Sequence, residues 1–165
     1  MAEGVKYLHG KNLVHRDIKP DNILLSSADL TTATVKLADF GLFKVLRSPD
    51  VTHTPMVGST LYSAPEVLLL LGHYGCKVDV WSYRVVAFEL LTGTKPYRAP
   101  ETEGLKRKQR EGVPRVEGFP QGYEDICQDF LDFCLVFDPQ LRPGWTKSSV
   151  IPFSTSLHIS GLLST

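Results

Sequence analysis

The polar segment 15–22 and the two short apolar runs after it limit what this chain can fold into. The runs are residues 23–25 (Ile-Leu-Leu) and 35–38 (Val-Lys-Leu-Ala), and a linker rich in Ser and Thr separates them. Short apolar runs joined in this way are typical of a strand pair. We therefore predict that residues 15–22 form a loop and that a small β hairpin follows, with Asp39 at the end of its second strand.

The loop and Asp39 together carry the side chains that phosphoryl transfer needs. That reaction requires a group to orient or deprotonate the acceptor hydroxyl, a divalent metal, and a cation near the moving phosphoryl. Asp17 is the candidate base, Lys19 the candidate cation and Asn22 a candidate magnesium ligand. Asp39 adds a second oxygen ligand, which suits a hard cation that takes few ligands from protein.

The first ten residues have a helical pattern. We expect Val5, Leu8 and Tyr7 to face inward. Gly10 suits the C-terminal cap of this helix, because glycine tolerates the left-handed backbone found there.

Three further segments are predicted to be helical. Residues 78–91 are apolar nearly all round, as in a buried helix, and Gly93 is expected to stop it. Residues 101–111 are predicted to form a short basic helix and residues 123–137 an amphipathic one. Residues 42–63 lack periodicity and are predicted to be a long loop.

Composition excludes several classes of protein. A length of 165 residues suits one domain, and a net charge of zero predicts neither a nucleic-acid nor a membrane partner. No apolar run is long enough to span a bilayer, and the first residues lack the apolar core of a signal peptide. Three cysteines without C-x-x-C spacing favour a reduced, intracellular setting, and we predict a cytoplasmic one.

Five motifs, in order along the chain, resemble those of the protein kinase family. Residues 15–22 match the catalytic loop H-R-D-x-x-x-x-N, Asp39-Phe40-Gly41 matches D-F-G, and Ala64-Pro65-Glu66 matches the A-P-E that ends the activation segment. Asp79-Val80-Trp81-Ser82 and residues 138–143 continue the resemblance, which covers about residues 3–145. One tripeptide alone is a weak signal, whereas five in the family's order are a strong one.

The resemblance implies an α+β, mainly α fold: a protein-kinase-like C-terminal lobe whose small β hairpin carries the catalytic and metal-binding residues. It implies a Ser/Thr protein kinase that uses ATP and Mg²⁺ on a protein substrate, since Lys19 is typical of that group. By resemblance, Asp17 is the catalytic base, with Lys19 beside the transferred phosphoryl. Asn22 and Asp39 are similar to the metal ligands, and Leu24 to the lower wall of the adenine pocket.

The resemblance also implies regulation. In kinases that have an Arg next to the catalytic Asp, as Arg16 is next to Asp17 here, a phosphorylated loop residue pairs with that Arg and orders the activation segment. Thr52 and Thr54 are the candidates for that phosphorylation, and each is equally open to interpretation as an ordinary polar loop residue. Ser59 stands where the family usually has Thr and would brace the catalytic loop with its hydroxyl.

A third group of residues is implied to be structural. His15, Phe40 and Asp79 are similar to members of the family's internal spine, in which Asp79 accepts hydrogen bonds from the catalytic-loop backbone. Glu66 and Arg142 resemble the family's buried ion pair.

The chain departs from the family pattern in its extent and at Arg84. Its sequence contains neither the Gly-rich phosphate loop nor the strand Lys of a kinase. We therefore expect a partial kinase domain over residues 1–153, a frayed tail over 154–165, and poor ATP binding by the chain alone. A missing N-terminal lobe or another partner would cover its apolar surface. Arg84 replaces the family's usual Gly in the predicted buried helix.

Two alternatives remain open from sequence. A non-catalytic interaction module, built on a kinase lobe, fits the absence of the phosphate loop. A small-molecule phosphotransferase of related fold fits less well, because such enzymes typically have His-Gly-Asp where this chain has His15-Arg16-Asp17.

Overall fold

The structure is a computed structural model of the chain. It describes residues 1–29, 31–46, 60–69, 74–115, 125, 128, 129, 132 and 135–145. The helices are α1 (Ala2–Gly10), α2 (Pro65–Leu68), α3 (Lys77–Thr92) and α4 (Thr102–Glu111), and the strands are β1 (Leu13–Val14), β2 (Ile23–Leu25), β3 (Val35–Leu37) and β4 (Lys44–Val45). Short 3₁₀ turns span Pro20–Asn22, Phe40–Leu42 and Thr60–Tyr62.

Helix α3 is the centre of the described core. Trp81, Val85 and Val86 are fully buried, and polar residues of the same helix are buried with them. A helix that is apolar on nearly every side has to be enclosed, as the sequence predicted. It ends at Gly93, whose φ of 69° is left-handed and whose N–H donates to the carbonyl of Glu89 at 2.8 Å.

The predicted hairpin is present. Strands β2 and β3 pair antiparallel, with Ile23 opposite Leu37 and Leu25 opposite Val35. Immediately after β3, the Ala38 N–H donates to the Asn22 carbonyl at 2.8 Å, which brings Asp39 alongside the end of the 15–22 loop. The hairpin therefore joins the two polar segments.

A second sheet was not predicted. Strands β1 and β4 pair antiparallel, with Leu13 opposite Val45, and the Leu46 N–H extends the pairing to the Asn12 carbonyl at 2.8 Å. The predicted loop over 42–63 therefore begins with a strand. Strands of two residues carry no alternation that a sequence pattern can detect.

Helix α1 corrects two expectations. Tyr7 is 66% exposed, while Val5 is fully buried and Leu8 half-buried. Residues three and four apart share a helix face, and position 7 points away from position 5. Gly10 is the last helical residue, and the cap is Lys11, at a φ of −101° that needs no glycine.

Helix α4 lies within the predicted basic segment and buries Leu105 and Gln109. The amphipathic helix predicted over 123–137 falls largely outside the described residues, and the tail predicted over 154–165 lies entirely outside them. In the part of the chain that the structure describes, none of the helices has the length and apolar character needed to cross a bilayer.

Candidate active site

Asp79 on α3 fixes the backbone of the candidate catalytic loop, residues 15–22. Its carboxylate is fully buried and accepts the N–H of His15 on Oδ2 and the N–H of Arg16 on Oδ1, each at 2.8 Å. His9, at the end of α1, contacts Oδ2 at 2.8 Å through Nε2. A carboxylate that accepts several N–H groups is a strong, directional anchor.

Asp17 is held by the other two candidate side chains of the loop. It is only 6% exposed. Lys19 Nζ donates to Asp17 Oδ2 at 2.7 Å, and Asn22 Nδ2 donates to the same oxygen at 2.9 Å and to the Asp17 carbonyl at 2.8 Å. The hydrogen bond with Asp17 raises the pKa of Lys19 above its ordinary value of 10.5, so the lysine is a cation at neutral pH.

His15 links the loop to the segment that carries Asp39. Its Nδ1 accepts the N–H of Asp17 at 3.4 Å, and its Nε2 lies 3.0 Å from the Ala38 carbonyl. A carbonyl only accepts, so the ring proton is on Nε2. Phe40 packs edge-on against the His15 ring at 5.3 Å.

Asp39 stands in the left-handed region, at φ 59° and ψ 77°. Asp adopts this conformation more readily than most residues, and here its Oδ1 accepts the Gly41 N–H at 3.1 Å. A Cβ on Gly41 would lie 3.1 Å from that oxygen, so glycine leaves room for the turn. The carboxylate is exposed beside the hairpin.

Asn22 and Asp39 fit a magnesium site by the chemistry of their donors. Both amide hydrogen bonds of Asn22 go to Asp17 through Nδ2, so Oδ1 is the atom that would bind a metal. Among the described residues, no three His, Cys, Asp or Glu side chains are grouped so as to hold an ion by themselves. Magnesium takes one or two protein oxygens and completes its shell with phosphates and water, so two ligands suffice.

Apolar side chains around the hairpin are exposed. Leu24, the predicted wall of the adenine pocket, is 53% exposed on β2, and Phe40 is 45% exposed. Leu25, Phe43 and Val45 are similarly exposed. Single exposed apolar residues are normal, but several beside polar candidate residues indicate a surface that takes a ligand or a partner.

Arg16 is bound by two groups that the sequence did not indicate. Its Nε donates to the Leu42 carbonyl at 2.6 Å and its Nη1 to the Tyr74 hydroxyl at 3.3 Å. Its φ of 70° is left-handed, which costs a long side chain about 1–2 kcal/mol. Contacts at both ends of the residue hold that conformation. The other predicted regulatory residues, Thr52, Thr54 and Ser59, lie outside the described residues.

Glu66 on α2 and Arg142 form a buried two-point ion pair. Arg142 Nη1 lies 2.7 Å from Oε1 and Nη2 lies 2.9 Å from Oε2. Arg142 also donates to the carbonyls of Val136, Phe137 and Lys77. The pair ties the A-P-E segment to the chain beyond residue 135.

A polar cluster at the end of α3 was missed by sequence reasoning. Tyr62 donates its hydroxyl to Glu89 at 2.7 Å, and Lys95 lies 2.7 Å from the other carboxylate oxygen. Burial raises the pKa of Glu89, but the hydrogen bonds from Lys95 and Tyr62 outweigh it and lower that pKa overall. Tyr62 precedes Ala64-Pro65-Glu66 by two residues, and no sequence pattern pairs it with Glu89. Arg84, which replaces the family's usual Gly within α3, is 1% exposed.

Comparison with known proteins identifies the class. The protein kinase domain model matches residues 1–154. The chain is 42% identical over 146 residues to the calcium/calmodulin-dependent protein kinase cmkA of Emericella nidulans, an overlap of 87% of this chain and 34% of the relative. It is 36% identical over 156 residues to the Ser/Thr-protein kinase STE20 of Candida glabrata (94% and 16%). It is 39% identical over 151 residues to the Drosophila melanogaster kinase Lok (87% and 30%).

The chain therefore belongs to the protein kinase family, and its similar proteins are Ser/Thr kinases. Its helices and small antiparallel sheets are those of a kinase-like fold. It spans between 16% and 34% of the length of the three relatives named above.

Proposed function

We propose that this chain supplies the catalytic loop of a protein Ser/Thr kinase, which transfers the γ-phosphate of ATP to Ser or Thr hydroxyls of a protein substrate. The observation that carries the proposal is the cluster of Asp17, Lys19 and Asn22. These side chains share one buried carboxylate oxygen, on a loop whose backbone is fixed by Asp79. Positioning and charge are most of what phosphoryl transfer asks of a protein.

Each residue has a chemical task in that reaction. The substrate hydroxyl oxygen attacks the γ-phosphorus while the bond to the bridging oxygen of ADP breaks, and Asp17 accepts the hydroxyl proton. Lys19, a cation 2.7 Å from Asp17, balances the charge of the moving phosphoryl. Asn22 Oδ1 and the Asp39 carboxylate would hold magnesium, which neutralises phosphate charge when it is bound.

We infer further that the chain is the C-terminal lobe of the kinase fold. The buried helix α3 supports this assignment, because it lies in a mainly helical core against which Ile23 and Leu37 of the hairpin pack. The buried ion pair of Glu66 with Arg142 also supports it. The boundary at residue 153, the cytoplasmic setting and the regulatory roles of Arg16 and Ser59 remain predictions.

The alternative function is a non-catalytic lobe that binds a partner. The exposed apolar residues Leu24, Phe40 and Phe43 favour it, since they lie beside the candidate catalytic residues and present hydrophobic surface. The same surface fits an N-terminal lobe or another segment that covers the nucleotide during catalysis. We infer that phosphoryl transfer requires such a covering segment.

A chimera tests both functions. The N-terminal lobe of the Emericella nidulans relative is fused before residue 1 and assayed with Mg-ATP and a generic basic protein. We expect turnover, and we expect Asp17→Asn to reduce it about 10²–10⁴-fold, the usual cost of losing a general base. Asp21→Asn is the matched control, because Asp21 is an exposed carboxylate of the same loop.

The outcomes separate the proposals. A folded chimera that binds Mg-ATP without turnover supports the non-catalytic module. Turnover by the unfused chain, lost in Asp17→Asn, contradicts the requirement for a covering segment but supports the kinase assignment.

A further inference from the structure

His9 connects the catalytic-loop anchor to a residue far along the chain. Its Nε2 lies 2.8 Å from Asp79 Oδ2, and its Nδ1 lies 2.8 Å from the indole Nε1 of Trp145. Its side chain is 9% exposed and that of Asp79 is fully buried. The imidazole ring of His9 therefore links Trp145 to the Asp79 carboxylate, which fixes the backbone of His15 and Arg16.

The chemistry of the indole determines where the His9 proton lies. An indole N–H only donates, so Nδ1 of His9 has to accept and carries no proton. The ring proton is then on Nε2 and is directed at Asp79 Oδ2. The contact between His9 and Asp79 is therefore a hydrogen bond from a neutral imidazole to a carboxylate.

The other neutral tautomer would disrupt both ends of this chain of hydrogen bonds. A proton on Nδ1 would oppose the indole N–H, and the Nε2 lone pair would face the Asp79 carboxylate. Without Trp145, only Asp79 would discriminate between the tautomers, and the imidazole could rotate. Tyr83 holds the indole in place, because its ring packs edge-on against Trp145 at 5.1 Å.

We propose that Trp145 is a positioning residue for the catalytic loop. It holds His9 in the Nε2–H tautomer. His9 then donates an N–H to Asp79, which also accepts the backbone N–H groups of His15 and Arg16. Its relevance to phosphoryl transfer rests on the function proposed above. The hydrogen-bond chain itself is independent of catalysis and is tested without ATP.

The first test reads the tautomer directly. Two-dimensional ¹H–¹⁵N spectra of the ¹⁵N-labelled 165-residue chain resolve protonated from unprotonated imidazole nitrogens, and His9→Phe assigns the His9 signals. We expect Nδ1 of His9 to be unprotonated and Nε2 to be protonated at pH 8. Protonation at Nδ1 in the parent chain would overturn the proposal without any variant at position 145.

The second test removes only the donor. Trp145→Phe keeps an aromatic ring against Tyr83 but deletes the indole N–H, so both His9 nitrogens should shift towards the average of two exchanging tautomers. Amide hydrogen exchange at His15 and Arg16 should accelerate roughly tenfold, about the effect of losing one hydrogen bond. Leu141→Ala, at a 73% exposed position of the same segment, is the control and should change neither readout.

A double-mutant cycle separates the proposed role from packing. In the His9→Phe background, Trp145→Phe should cause no further acceleration of exchange at His15 and Arg16, because its route to Asp79 is already lost. If the two substitutions accelerate exchange additively, or if Trp145→Phe leaves the His9 tautomer unchanged, Trp145 acts only through packing and the proposal is wrong. Failure of the kinase assay would leave these results intact.

Discussion

Replacing Glu66 by Gln removes one charge from the buried pair and leaves its partner in place. Arg142 is 1% exposed and stacks over the Trp81 ring at 4.9 Å, so its guanidinium cannot turn to water without opening the core. The Gln side chain keeps one acceptor oxygen, but its NH₂ group meets an Arg142 donor at the position where Oε1 or Oε2 accepted. One donor-to-donor contact thus replaces one charge-assisted hydrogen bond.

The expected loss of stability is large for a single substitution. Breaking a buried ion pair from one side costs about 3–5 kcal/mol, because an uncompensated charge stays in a medium of low dielectric. Three backbone carbonyls still accept from Arg142 after the change, which places the expected value near the lower bound. Domains of this size have about 5–15 kcal/mol of stability in total, so we expect the loss of roughly a third of it.

Urea denaturation followed by circular dichroism measures this change in the free energy of unfolding. Glu103→Gln is the matched control, because Glu103 pairs with Lys106 at 2.6 Å but is 80% exposed. Such a surface pair contributes about 0.5 kcal/mol or less. If Glu66→Gln cost no more than the control, the pair would be solvated and the argument from burial would be wrong.

Three further predictions concern α1, α3 and the residues just after α3. Gly93→Ala should lower stability by about 1–2 kcal/mol in urea denaturation, because the φ of Gly93 is 69°. Gly10→Ala, in open space at a helix end, should raise stability by up to about 1 kcal/mol. Equal effects of the two substitutions would contradict the argument from backbone conformation. Glu89→Gln should destabilise at pH 7, where the lowered pKa of Glu89 and the raised pKa of Lys95 keep both groups charged. Stability that comes from a lowered carboxyl pKa is lost as the pH falls through the folded-state pKa. The difference in stability between parent and variant should therefore shrink below pH 4.5, and a constant difference would refute this account. Tyr97→Phe should be neutral or stabilise by about 1 kcal/mol, because the Tyr97 hydroxyl is buried with no hydrogen-bond partner among the described residues. A loss of stability in thermal denaturation would show that the hydroxyl has a partner.

Elements with a local signal were predictable from sequence. The hairpin of β2 and β3 follows from two apolar runs and a polar linker, and α3 follows from its apolar pattern and Gly93. Both signals lie within a few residues of the structure that they specify.

Contacts between distant positions were not predictable from residue patterns. The pairing of Leu13 with Val45, and the hydrogen bond between His9 and Trp145, join residues that share no local pattern. Asp79 and the pair of Glu66 with Arg142 were identified only through the resemblance to kinases. Their partners depend on tertiary packing, and a single sequence does not encode it in any short window.

The helix that contains Tyr7 was predicted correctly, but the prediction that Tyr7 faces inward was wrong. The helix over the first ten residues was predicted, but its inward face is set by Val5, Leu8 and His9, at positions i, i+3 and i+4. The sequence does not indicate that His9 faces inward, because a polar side chain at the end of a helix usually faces solvent. Its hydrogen bonds at both ring nitrogens allow it to be buried.

The candidate site has a buried part and an exposed part. Asp17, which would act on the substrate hydroxyl, is buried and held by neighbours on a loop that is itself anchored to α3. Asp39 and Leu24, which would meet the nucleotide, are exposed. Preorganised groups need little ordering when the reaction occurs, whereas exposed ones are ordered at the cost of binding free energy. Substitutions on the Asp79 side should therefore act on the rate of transfer, and substitutions at Leu24 or Asp39 on the binding of Mg-ATP.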